Sequence, residues 1–247
     1  MLPTVLFRRL CLLLVCCLLL TGAAPAAPPA SFADQLTHLL KQYVAADGSV
    51  SYAALQRQPA ELKELVKQVQ TANLAKASAA ERKAFYLNAY NLLVISSVVE
   101  RYPAPSVMKL PGFFDTQKHR VAGELLTLNM IEKHKLRTPY HDARIHFALS
   151  SAARGCPRLS PVAFRAESVE QQLDELTRRT LNDAQWVRRD DATKKVVLSE
   201  LFKWYAGDFK ASGKPVLAFV NAYLPAPIPA GYQVEYGSYD WSLNERR

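Results

Sequence analysis

The chain has 247 residues, 49% of them hydrophobic and 21% charged, and lysine plus arginine exceed aspartate plus glutamate by 9. That composition can build a sizeable core and excludes a disordered polymer. The basic residues are spread out, with Arg188, Arg189, Lys194 and Lys195 the densest group, and no aromatic-interleaved basic patch points to nucleic acid.

Arg8 and Arg9 precede an apolar run from Leu10 to Leu20, and Ala24-Pro25-Ala26 then supplies small residues where a signal peptidase reads. The run is shorter than the roughly 18–20 apolar residues of a membrane span. The pattern predicts a cleaved export leader over residues 1–26. A single domain over 27–247 follows, periplasmic or secreted, with no transmembrane segment after cleavage. Loss of Arg8 and Arg9 lowers the positive excess from 9 to 7, and loss of Cys11, Cys16 and Cys17 leaves Cys156 as the one thiol. A disulfide within the mature chain is thereby excluded. A lone exported cysteine is either a reactive or bridging thiol or a small buried hydrophobe.

Ser31 caps a first helix with Phe32, Leu36, Leu39, Leu40 and Tyr43 on its apolar stripe. Asp47-Gly48 makes a turn before a short strand at 50–52, and Pro59 opens a charged helix to about 72. Residues 79–101 predict the strongest helix. It is apolar nearly all round from Ala84 to Val99, which marks a buried central helix. Asn88 and Asn91, at i and i+3, share one face of it and need hydrogen-bond partners or a cleft. Residues 118–127 predict a hairpin turning at Gly123-Glu124, and Thr127 caps a short helix to Leu136. RIHFALS (144–150) alternates as a strand, with His146 on its polar face. Helices follow to about 181 from Ser168, after Ser199 with Phe202, Trp204 and Tyr205, and over 214–224. Residues 194–198 predict a strand. Without a regular βαβ rhythm the expected class is α+β, mainly helical, with a small, mostly antiparallel sheet around the buried helix. No Gly-rich phosphate loop, Walker pattern or GxSxG elbow is present.

The chemistry-bearing residues centre on His146 and Cys156. A loop folding back over the end of the expected strand would bring them together, and an imidazolium beside a thiol raises its thiolate fraction. Asn88, Asn91, Glu132 and Asp142 are candidates to orient the imidazole. Glu132, His134, His141 and His146 fall within fifteen residues and form a weaker metal-binding reading, without an HExxH or paired-cysteine pattern.

FYLNAYN (85–91), the Ile131-Glu132…Leu136-Arg137 helix, RIHFAL (144–149), Gly155-Cys156-Pro157 and YDWSLNE (239–245) occur in that order. Together they resemble the domain-of-unknown-function family 547, over roughly the whole mature chain and most strongly over 80–182. The resemblance implies that Asn88, Asn91, Glu132, Arg144, His146 and Cys156 are pattern positions, and it implies no reaction. Family members often carry an asparagine or valine and then a second cysteine where this chain has Ser150 and Ser151, so a CxxxxC redox pair is missing. Lys133 stands where members often have histidine, and His134 does not inherit that place.

The first functional expectation is therefore a cysteine-dependent hydrolase or acyl transferase of the cell envelope, acting on a small-molecule or peptide substrate without a cofactor. Cys156 is the nucleophile, His146 the base, and Asn88 or Asn91 orients the ring or an oxyanion. Glu132 and Arg144 form a supporting ion pair, with Asp142 nearby. The alternative is a non-catalytic binding or structural envelope domain in which Phe113, Phe114, Tyr239 and Trp241 line a surface and Cys156 is inert. The third is a metal-dependent site.

Overall fold

The computed structural model describes residues 30–210 and 215–246; the expected leader lies outside the described residues. Four helices open the chain: α1 (Phe32–Tyr43), α2 (Tyr52–Arg57), α3 (Ala60–Thr71) and α4 (Ala79–Glu100). Capping boxes start α1 at Ser31/Asp34 and α4 at Ser78/Glu81. Each box satisfies backbone donors that the first turn leaves open, worth about 1 kcal/mol apiece. Along α4, Lys83, Ala84 and every residue from Tyr86 to Val99 are buried. α2 and α3 pack on it from one side, and the 128–140 segment packs on it as well. The apolar all-round pattern thus becomes a central helix, each fully buried aliphatic contributing about 1.5–3 kcal/mol.

Strands β1 (His119–Val121) and β2 (Glu124–Leu126) pair antiparallel with Val121 opposite Glu124. Ala122 and Gly123 between them both have positive φ, 48° and 85°, the geometry of a two-residue hairpin turn. The expected turn at Gly123-Glu124 is therefore one residue earlier. Next comes a continuous helical stretch of three parts: α5 (Leu128–Met130), a π-helical segment (Ile131–Arg137) and α6 (Thr138–Tyr140). A π segment widens the helix and changes which side chains share a face.

Residues 144–150 are not the expected strand. Ala143–Phe147 form a 3₁₀ turn opened by Asp142, whose side chain accepts from the Arg144 N–H. The alternation has another cause: Ile145 enters one hydrophobic cluster, built on α1–α4, while Phe147 enters a second. Apolar residues two apart serve two cores rather than one face of a sheet.

α7 (Val169–Leu181) places Val169, Leu173 and Leu176 in the first cluster and Leu181 in the second, which is otherwise formed with β3 (Val187–Asp190), β4 (Lys195–Ser199), α8 (Leu201–Trp204), α9 (Ala206–Phe209), α10 (Val216–Asn221) and β5 (Gln233–Gly237). β4 pairs antiparallel with β3 and parallel with β5. The class is α+β as expected, with the strand content divided between two small sheets. The helix expected over 214–224 is shorter, Val216–Asn221.

The C-terminal segment then returns as a strap. Leu243 bridges Ala153 and Glu245 bridges Val50. Asn244 is buried, accepts from the Tyr52 hydroxyl at 2.7 Å, and its backbone joins Val50 and Ala152. The strap ties the N-terminal helices to the loop that follows the 3₁₀ turn.

Candidate functional site

A cavity of about 470 Å³ opens where the 107–115 loop, the π segment, the 3₁₀ turn, α8 and the strap converge. One wall is aromatic. Trp204, Tyr239 and Trp241 lie with ring centroids 4.9, 5.7 and 4.6 Å apart. Phe113 and Phe114 face the same space, Phe114 being 6.5 Å from Trp241. Met108 and Trp204 at its edge are 58% and 43% exposed, so the rim is apolar and open.

The polar part comes from three elements. His146 is buried, and its Nε2 lies 2.7 Å from Asp208 Oδ2. Arg137 Nε donates to that same oxygen at 2.6 Å. The hydrogen bond from His146, followed by that from Arg137, holds the Asp208 carboxyl well below the usual carboxylate range. An ionised Asp208 accepts, so Nε2 carries a proton toward it and the ring orientation is fixed. Among the described residues Nδ1 makes no hydrogen bond, and His146 borders the cavity. The Tyr205 ring covers the imidazole at 3.9 Å between centroids, Phe209 flanks it at 5.4 Å, and the Arg137 guanidinium lies 4.6 Å over Tyr205. Burial, then the neighbouring Glu132 carboxylate, raises the Tyr205 hydroxyl above its ordinary value.

Glu132 is buried, lines the cavity, and has Arg137 Nη1 at 3.7 Å. The expected Glu132–Arg144 pair does not form. Arg144 instead bonds Asp142 at 2.7 Å, Asp174 at 2.9 Å and Glu170, with Lys83 Nζ 2.6 Å from Glu170 and 3.5 Å from Asp142. The π segment turns Glu132 toward the cavity, and the Asp142 cap turns Arg144 toward α7. Arg144 and Asp142 therefore lock α4, the 3₁₀ turn and α7 together, away from the cavity lining.

Asn88 and Asn91 are both satisfied by backbone. Asn88 donates to the Phe164 carbonyl and accepts from its N–H, each at 2.8 Å. Asn91 donates to the Ala148 carbonyl and accepts from the Ser150 N–H, each at 2.9 Å. Neither bonds His146. Cys156 is buried, with Sγ 3.2 Å from Ser150 Oγ and 3.4 Å from the Pro157 carbonyl. Burial pushes its thiol above the ordinary value despite the hydrogen bond from Ser150. No hydrogen bond joins Cys156 to His146 among the described residues, and Pro157, not Cys156, lines the cavity. His134 and His141 are exposed. No group of three or more His, Cys, Asp or Glu fit to hold a metal occurs among the described residues.

Asp208, Arg137 and Tyr205 are not singled out by sequence as site residues. Tyr205 and Trp204 have a signal in their aromatic helix, whereas Asp208 lies 62 positions from its histidine with no motif to join them.

Residues 74–180 match the family model described as "Protein of unknown function, DUF547". No curated protein and no solved structure matches the chain. Glu132, Arg137 and His146 fall inside the matched stretch, and Trp204, Tyr205, Asp208, Tyr239 and Trp241 beyond it. The ordered motifs and the matched stretch identify residues 74–180 of this chain as a DUF547 domain.

Proposed function

We propose that this chain is an exported binding domain for a small organic molecule, which it holds in the aromatic cavity. The observation that carries the reading is the lining. An aromatic cluster of Trp204, Tyr239 and Trp241 and two buried polar groups, Glu132 and His146, line one cavity of about 470 Å³. Small-molecule sites combine a largely apolar concave surface with a few convergent polar groups. The wall offers stacking area, and the polar groups offer orientation.

The three tryptophans supply the test. Trp204 and Trp241 line the cavity, while Trp186 is buried in the second hydrophobic cluster. Titration of the mature protein with benzyl alcohol is expected to shift the indole N–H resonances of Trp204 and Trp241 and leave Trp186 in place. Equal movement of all three, or of none, would count against the cavity as a binding site.

A catalytic reading has one observation in its favour, the carboxylate-bonded imidazole beside the cavity. Asp208 orients the ring through Nε2, and in the neutral form of the imidazole Nδ1 is then a positioned proton acceptor. In the thiol-hydrolase form of this reading Cys156 attacks the substrate. That form requires an accessible, reactive thiolate, whereas Cys156 is buried and burial raises its pKa. Alkylation of native Cys156 is expected to be slow up to pH 8.5 and to be released by unfolding, equally in wild type and His146→Ala. Fast alkylation near pH 7 that disappears in His146→Ala would restore the Cys156–His146 pair as the active centre.

A further inference from the structure

The ionisable groups around the cavity are unevenly signed. Asp115, Glu132 and His146 line it, and no lysine or arginine does so among the described residues. This occurs in a chain whose positive charges exceed its negative ones by 9. Behind the lining, the single Arg137 cation lies against two carboxylates, Glu132 and Asp208. Its short contact, 2.6 Å, goes to Asp208, and Glu132 is left at 3.7 Å, beyond hydrogen-bond length. Two carboxylates thus share one guanidinium, and Asp208 holds the nearer position. Glu132, the carboxylate farther from the guanidinium, is only 8% exposed and borders the cavity. A buried carboxylate without a close cationic partner is costly.

Resting on the binding reading above, we infer that the ligand is a small organic cation, its ammonium group held between Glu132 and the aromatic wall. Two features fit that chemistry together. A cation near Glu132 gives that carboxylate the close opposite charge that Arg137 gives to Asp208. The faces of Trp204, Tyr239 and Trp241 attract a cation through their quadrupoles, tryptophan most strongly. Asp115, exposed near the mouth, adds attraction during entry. A neutral polyol can bond the same carboxylates but brings Glu132 no close opposite charge. An anion would meet two carboxylates and no basic side chain.

The experiment compares choline with 3,3-dimethyl-1-butanol, its uncharged analogue of the same shape, by the Trp204 and Trp241 resonances of the mature protein. Choline is expected to reach half-saturation at a concentration about tenfold lower than the alcohol, the ratio given by a single added charge contact. Glu132→Gln is expected to bring the two probes to similar midpoints. Asp115→Asn, an exposed change that leaves the core untouched, is expected to weaken choline alone by a few fold. Equal midpoints in wild type, a stronger alcohol, or benzyl alcohol binding with neither probe would overturn the cation inference and leave the binding reading standing. No response of Trp204 and Trp241 to any of the three molecules would overturn both.

Discussion

Asp208 accepts two charge-assisted hydrogen bonds on one oxygen, from His146 and Arg137. Hydrogen bonds to charged groups are worth about 1.5–3 kcal/mol. The Asp208 side chain is 31% exposed, so solvent screening reduces the expected loss in Asp208→Asn to about 1–2 kcal/mol at pH 7. The sign with pH follows from the depressed native pKa. The carboxylate's contribution is complete above the unfolded value of about 3.9. It declines as pH falls through the native value, where folded and unfolded states bind the proton alike. Denaturant melts of wild type and Asp208→Asn should therefore differ at pH 7 and converge toward pH 2. A gap of unchanged size at low pH would mean that the substitution acts through packing, not through charge.

At the scale of elements, residue pattern is informative where one period governs one environment. α1, α3, α4 and α7 each carry a continuous apolar stripe or an apolar run, and their starts are marked by Ser31, Pro59, Ser78 and Ser168. Asn88 and Asn91 are readable as amides in need of partners, because a side-chain amide buried on an apolar helix must be hydrogen-bonded. Their partners are loop backbones at Phe164, Ala148 and Ser150, which no local pattern announces. The 143–147 segment defeats the period because its side chains divide between two cores. β3 is invisible for the opposite reason: Val187-Arg188-Arg189-Asp190 is largely exposed and holds its place through pairing with β4. The π segment leaves no signature in sequence, yet it carries Glu132, which lines the cavity, while Arg144 in the 3₁₀ turn pairs with Asp142, Glu170 and Asp174. The site is thus half legible. His146, Glu132 and the aromatic residues stand out by type, and the residue that orients His146 does not, since only the tertiary fold brings Asp208 to it.

At the scale of the whole molecule, the aromatic wall depends on the strap, and the strap depends on Gly155. Its N–H donates to the Asp240 carbonyl at 2.8 Å. A Cβ at Gly155 would meet Asp240 N at 2.8 Å, Asp240 O at 3.1 Å and Tyr239 Cδ1 at 3.1 Å. The φ of Gly155 is not in the left-handed region, so alanine is forbidden there by proximity alone. Overpacking of this kind costs about 1–3 kcal/mol. In a chain of this size that corresponds to a fall in Tm of about 2–12 °C. Gly207, with nothing within 4 Å of an added Cβ, is the control. Gly207→Ala lies within α9 and should be neutral or slightly stabilising. Because the atoms that must yield in Gly155→Ala belong to Tyr239 and Asp240, the damage should also reach the cavity. The Trp241 indole resonance should move in the free protein, and benzyl alcohol binding should weaken more than the loss of stability explains. A Gly155→Ala protein that melts lower but keeps Trp241 and ligand response unchanged would mean that the strap adjusts locally. The wall would then be set by α8 and the 107–115 loop rather than by the closure of the C-terminal segment onto the N-terminal helices.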